Sequence, residues 1–267
     1  MTFFLFIRKD IFEMNLIENI KEIVSNIFRC GSRLSYDGWE CIFEDKFEGI
    51  NENTWSPCVK GKSNWNRFMT ERLPEVHNEN GLTFVRLECN NDFENNTFVT
   101  EGITSKDKHV FPAGRVEVRA RFNPGNSTWP AIWMVNNGNT SQDEYYEIDL
   151  CEYFNTRNYV NVTYHCPSSL SGKKKPIRRV SWDFNKDEWN DFVCEFDESV
   201  IKVYVNRKLV LTVRNNENQR HFPVNLKDRF FFLILSMQYA YPGTIKPDIT
   251  ELPLWMDVQY VRYWRRS

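Results

Sequence analysis

The stretch RVEVRARF, Arg115 to Phe122, alternates without a break. Val116, Val118, Ala120 and Phe122 fall on one side of an extended chain, and Arg115, Glu117, Arg119 and Arg121 on the other. Successive strand residues point to opposite faces, so a period of two predicts a strand with one face against a core. The same pattern recurs outward from it. IKVYVNRKLVLTV (201–213) predicts a hairpin turning near Asn206–Arg207. LTFVRLEC, DFVCEF, RFFFLILSM and WMDVQYVRYW read as further strands, separated by the breakers NPGN, NNGN and YPG. Many short strands with no βαβ alternation predict an antiparallel sandwich.

A chain of 267 residues, 41% hydrophobic and 26% charged, is long enough for one large β domain with a sizeable core. The net charge of −2 gives no nucleic-acid or polyanion footprint. Its one basic run, GKKKPIRR at 172–179, reads as a loop, as does the polar run NNENQRHF at 215–222. Aromatics reach 15% with nine Trp, a surplus that suits both sugar-binding clefts and cores. The seven cysteines form no CxxC pair, and His and Cys do not cluster at zinc spacing. An odd count without a framework predicts mostly free thiols, and a single disulfide stays compatible with it.

The first 33 residues are set apart from 34–267. The apolar run FFLFI is short, Arg8 and Lys9 follow it, and no small-residue cleavage site is present, so no signal peptide is expected. Ile17, Ile20, Val24, Ile27 and Phe28 lie at helical spacing and predict an amphipathic helix. That helix either packs on the domain or docks to a partner or membrane. No transmembrane segment and no internal repeat is expected, and the protein reads as a monomer.

One segment does not fit packing alone. YYEIDLCEYF, residues 145–154, places Glu147, Asp149 and Glu152 in an apolar and aromatic run. Ionised carboxylates are rarely buried unless paired, because desolvation costs several kcal/mol. In a flat strand, 147 and 149 share a face and 152 points away. Spacing alone therefore leaves two readings. Either two surface carboxylates sit on one face and one on the other, or a β-bulge at Leu150–Cys151 turns Glu152 back to the shared face. Retaining glycoside hydrolysis needs a nucleophilic carboxylate and a second carboxyl roughly 5 to 5.5 Å away as acid, then base. A third carboxylate between them would raise a neighbour's proton affinity and orient it.

The segment EIDLCE resembles the E-x-D-x-x-E signature of glycoside hydrolase family 16, which includes laminarinases, lichenases, agarases and carrageenases. FEDKFEG (43–49), FPAGRVEVRARF (111–122), STWPAIWMV (127–135), KVYVNRKLV (202–210) and VQYVRYW (258–264) resemble further family landmarks, in family order. The resemblance implies an all-β jelly-roll sandwich of two antiparallel sheets, concanavalin A-like, with an open cleft on the concave sheet and the N-terminal helix outside it. It implies Glu147 as nucleophile, Asp149 as assisting carboxylate and Glu152 as acid/base. It also places Trp129 and Trp133 on the cleft face. Tyr145 stands where relatives often carry a sugar-stacking Trp, and His165 matches a cleft histidine. Glu117 and Gln238 are further candidate substrate-binding residues.

Two departures bear on specificity. Gly102, in EGITSK, stands nearest to an arginine common in laminarinases, and SQDEYY replaces the usual WPxxG before the catalytic strand. A third bears on metal. Where many relatives bind a structural calcium, this chain has Lys46 and Gln259. Calcium prefers several anionic oxygens, so no metal and no cofactor is expected. The expected activity is a retaining endo-β-glycanase on β-1,3- or β-1,3/1,4-glucan, with polysaccharide as the partner. The alternatives are an endo-hydrolase of an algal galactan such as agar, porphyran or carrageenan, and an inactive carbohydrate-binding jelly roll. The route to an extracellular polymer is not fixed by the sequence.

Overall fold

The computed structural model describes residues 34–93, 97–137, 145–166, 176–215, 230–239 and 249–267. The helix expected over 14–28 and the loop expected over 215–222 lie outside the described residues, apart from Asn215. Sixteen strands follow in chain order: β1 (Trp39–Asp45), β2 (Ser56–Pro57), β3 (Glu75–Glu79), β4 (Leu82–Asp92), β5 (Thr97–Thr100), β6 (Gly102–Thr104), β7 (Gly114–Asn123) and β8 (Thr128–Asn136); then β9 (Glu147–Glu152), β10 (Val160–His165), β11 (Ile177–Ser181), β12 (Asn190–Phe196), β13 (Val200–Val205), β14 (Lys208–Arg214), β15 (Phe231–Tyr239) and β16 (Leu254–Arg266). No helix among the described residues is long and apolar enough to cross a membrane.

Among the described residues, all pairing between these strands is antiparallel and falls into two sheets. One runs β14-β13-β12-β7-β16-β4-β3, with β1 also on β16 and β5 on β4. The other runs β11-β10-β9-β8-β15-β6-β2. The result is a jelly-roll-like sandwich. The hairpin between β13 and β14 turns at Asn206 and Arg207, with φ of 46° and 69°. Positive φ at both central residues is what the right-handed twist of two-residue hairpins favours.

The alternation of β7 becomes one wall of the core: Val116, Val118, Ala120 and Phe122 are all buried. They meet Ile132 and Met134 of β8, Leu233 and Leu235 of β15, and Val258 of β16 in one apolar cluster. The other face of β7 is charged yet partly covered. Arg115 is 1% exposed, lies between the rings of Tyr36 and Trp39, and donates to Glu195 at 2.6 Å. Arg121 and Arg86 donate to the fully buried Asp257 at 2.9 and 2.7 Å.

β15 has no alternation because all nine of its residues are buried. Its second face belongs to a smaller apolar cluster on the outer side of the seven-stranded sheet: Cys58, Met69, Ala131, Trp133, Val135, Phe232 and Ile234, with Trp65 and Tyr145 packed on it. The segment between β2 and β3, carrying Trp65 and Met69, covers that side. This cluster forms the floor of the site.

The structure corrects one loop assignment. Within the basic run at 172–179, Ile177, Arg178 and Arg179 belong to β11, which pairs with β10. The flanking lysines hid a short edge strand whose apolar residues are few.

Candidate active site

Strand β9 carries the three carboxylates, and its register shows how they come together. Against β8, Val135 faces Glu147, Trp133 faces Asp149, Ile132 faces Cys151 and Ala131 faces Glu152. Against β10, His165 faces Glu147, Thr163 faces Asp149 and Asn161 faces Glu152. Two residues of β9, Leu150 and Cys151, therefore occupy the space of one on each neighbour, which is a β-bulge. Both are fully buried in the main core. Alternation resumes one residue late, so Glu147, Asp149 and Glu152 all line one cavity on the outer side of the sheet.

Each carboxylate has its own surroundings. Glu147 accepts a hydrogen bond from the Tyr145 hydroxyl. His165 Nε2 lies 3.4 Å from Glu147 Oε1 and 3.3 Å from Asp149 Oδ2. Asp149 is buried beside Glu147. Glu152 accepts a 2.6 Å hydrogen bond from Thr163 Oγ1, and Arg178 reaches to 3.9 Å from the same oxygen.

Burial and the charge of Asp149 push Glu147 up to about 8, against the pull of His165 and Tyr145. Burial first, and the charge of Glu152 second, push Asp149 well above the usual carboxylate range. The cluster cannot carry all its charges at once in so dry a place. Asp149 is the deepest member.

Trp129, Trp133, Tyr145 and Gln238 line the same cavity. Trp133 Nε1 donates to Ser236 Oγ at 3.1 Å, and Gln238 Nε2 donates to the same oxygen at 2.8 Å. Trp129 stacks on Phe154 at 5.2 Å. Tyr145 differs from the stacking platform expected of it, since its hydroxyl engages Glu147 and its ring packs on the apolar floor.

Glu117 is a correction. It lies on β7 in the nine-stranded sheet, away from the cavity. It accepts hydrogen bonds from Tyr36 Oη at 2.9 Å, Tyr260 Oη at 3.2 Å and Trp264 Nε1 at 3.0 Å. Alternation marked it as opposite to the core but not which sheet it belonged to.

Three residues of the site were missed by sequence reasoning. Trp65 lines the cavity from a loop and meets Trp133 edge-on at 5.0 Å. A Trp inside the polar run GKSNWNRF was its one available signal. Thr163 and Arg178 reach Glu152 only through the register of β10 and β11 and carry no local signal.

Glu147, Asp149 and His165 offer ligand atoms within 4.8 Å of one another, a donor set able to hold a divalent cation. The same atoms are those that carboxylate catalysis needs free for substrate and proton. At the position where calcium ligands were considered, Lys46 Nζ pairs with Glu44 at 3.1 Å, and Asp45 accepts from Phe47 N and Trp55 Nε1 at 2.8 and 2.9 Å. Gln259 is the bulged residue of β16 between Val258 and Tyr260.

The family model for glycosyl hydrolases family 16 matches residues 63–234, more than half of the chain and all of the carboxylate strand. The chain belongs to glycosyl hydrolase family 16. It is 28% identical over 239 residues to a keratan-sulfate endo-1,4-beta-galactosidase of Sphingobacterium multivorum, covering 85% of this chain and 55% of that protein. The chain thus spans about half the length of that family relative. It is 25% identical over 252 residues to a beta-glucanase of Rhodothermus marinus, covering 85% of each. Among solved structures it resembles the catalytic domain of an endo-1,3-beta-glucanase (laminarinase) from Thermotoga petrophila, with TM-score 0.71, 23% identity, and coverage of 86% of this chain and 98% of that one. It also resembles a structure reported for endo-acting O-glycanases of human gut microbiota that initiate mucin breakdown, with TM-score 0.71, 24% identity, and coverage of 88% and 94%. Both structural likenesses are of the family fold.

Proposed function

We propose that this protein is a retaining endo-β-glycanase that cuts inside a polysaccharide chain. The observation that carries the reading is the bulge at Leu150–Cys151, which brings Glu147, Asp149 and Glu152 to one cavity beside Trp129 and Trp133. A binding module has no use for three clustered carboxylates, whose mutual repulsion and desolvation weaken the fold.

In the reaction, Glu147 attacks the anomeric carbon as Glu152 gives its proton to the departing glycosidic oxygen. A covalent glycosyl ester forms on Glu147. Glu152, now a carboxylate, takes a proton from water, which cleaves the ester with net retention. Asp149 lies beside Glu147 and acts as its assisting carboxylate through both steps. Thr163 fixes the rotamer of Glu152.

For substrate, the beta-glucanase relative supports a β-glucan and the keratan-sulfate endo-galactosidase relative supports a β-galactan. One feature favours departure from strict β-1,3-glucan specificity. A Cβ at Gly102 would stand 3.0 Å from Cys58 Sγ and 3.1 Å from the Leu235 carbonyl, so an arginine there, as laminarinases commonly carry, would have to displace its neighbours.

The test is a panel of β-glucans and β-galactans read by new reducing ends and product chromatography. Internal cleavage of one polymer by the parent, abolished in Glu147→Ala, supports the reading. Binding of a polymer without cleavage under all conditions rejects it in favour of a carbohydrate-binding module.

A further inference from the structure

We propose that the acid/base side of this cleft is a subsite for an anionic sugar, its sulfate ester or carboxylate read by Arg157 and Arg178 beside the exposed ring of Trp182. The proposal rests on the glycanase reading and names the substrate class of that site.

The argument begins with register. Thr163 of β10 faces Arg178 of β11, and Asn161 faces Val180. Thr163 and Asn161 also face Asp149 and Glu152, so Arg178 and Val180 continue the row of cleft residues to the sheet edge. Alternation carries the same face on to Trp182, just past the strand. Val180 and Trp182 are 42% and 64% exposed, large apolar groups left in water beside the catalytic row. Trp182 meets Tyr159 at 4.7 Å. The Arg157 guanidinium lies 5.4 Å from the ring centre of Tyr159 and 5.8 Å from that of Phe154. Phe154 in turn stacks on Trp129 of the cavity. An aromatic wall therefore leads from the carboxylates to the rim.

Among the described residues Arg157 has no carboxylate partner, and Arg178 has one carboxylate, Glu152, at 3.9 Å, besides donating Nε to Thr163 Oγ1 at 3.3 Å. When Glu152 is protonated to act as acid, the Arg178 charge loses that partner and is left to face the ligand. Aromatic faces take the apolar faces of a sugar ring, and neutral hydroxyls do not call for two guanidiniums. The planar fork of arginine matches the oxygens of a sulfate or carboxylate in a bidentate way. The net charge of −2 concealed this, since the two arginines come from different loops and strands.

The experiment compares four polymers: keratan sulfate, the same chain after desulfation, a β-1,3-glucan, and that glucan oxidised at C6 to carboxylates. The parent should cut a charged polymer with kcat/KM about tenfold above its neutral counterpart, and the advantage should shrink as salt rises from 0.05 to 0.5 M. In Arg157→Gln the charged-to-neutral ratio should fall by about tenfold. An advantage confined to keratan sulfate assigns a sulfate ester, and one confined to the oxidised glucan assigns a carboxylate. Equal rates on charged and neutral polymers, or a ratio unmoved in Arg157→Gln, overturn the proposal while leaving the glycanase reading intact. If none of the four is cut, the glycanase reading fails on these polymers, and equilibrium binding of the same set decides the subsite. A charge preference lost in Arg157→Gln supports it, and equal binding overturns it.

Discussion

The Tyr145 hydroxyl donates a hydrogen bond to Glu147 Oε2, two residues along the same approach to β9. The donor favours the ionised carboxylate, against burial and the Asp149 charge that push Glu147 up to about 8. Removing it tips the balance further toward the neutral acid. Tyr145→Phe should move the acidic limb of the kcat/KM profile to higher pH and lower activity at neutral pH about tenfold. A pH–rate profile identical to the parent's would remove Tyr145 from this role.

The raised Glu147 carries a sign for stability. Its folded pKa of about 8 lies above the ordinary 4.5. The folded state therefore holds its proton more tightly than the unfolded chain does. Stability from this group is complete below about pH 4.5 and is lost as pH rises toward 8. Glu147→Gln, isosteric and uncharged, should melt a few degrees above the parent at pH 8 and show little difference at pH 4.5. Calorimetry at the two pH values checks it, and a larger gain at the acid end contradicts it.

Glu152→Gln should reduce hydrolysis of unactivated polymer by roughly 10²–10⁴-fold, because protonation of the leaving oxygen is lost. An aryl glycoside with a good leaving group should suffer less in the first step. Azide should then restore turnover and yield a glycosyl azide of retained β configuration. Full activity on polymer would transfer the acid role elsewhere.

Leu150 and Cys151 together oppose Ile132 alone. Deleting Cys151 leaves E-x-D-x-E, in which plain alternation keeps all three carboxylates on one face. The variant should fold, melt lower because a fully buried side chain is gone and residues beyond 152 shift against β8 and β10, and retain some hydrolysis. Adding one residue after the glutamate should recover part of the melting temperature. An insertion that recovers nothing would show that the loss comes from the missing thiol and not from register.

Glu117, itself buried, holds three donors: the buried Tyr260 and the half-buried Tyr36 and Trp264. Glu117→Ala leaves those donors unpaired and should cost about 1–3 kcal/mol of stability. Its position in the other sheet predicts that kcat and KM on any cleaved polymer change less than about twofold in the folded variant. A selective loss of kcat would return it to the site.

The local backbone repeat made much of this legible. A strand's side chains alternate whatever the strand pairs with, so the core face of β7 and the shared face of Glu147 and Asp149 could be read directly. Even the bulge could be argued, because three carboxylates in EIDLCE reach one face only with an extra residue. Sheet membership is a different kind of information. Glu117 and Trp133 both lie on faces turned away from the main core, yet one sits under Tyr260 and the other beside Glu147. That difference comes from β7 pairing with β12 and β16 while β8 pairs with β9 and β15. Thr163 and Arg178 reached the site in the same way, through hydrogen bonds between strands. The sequence by itself determined which residues alternate and where the carboxylates must gather. Only the tertiary structure decided which sheet carries each face and that Arg178 stands beside Glu152, because strand register is set by non-local pairing that leaves no local period.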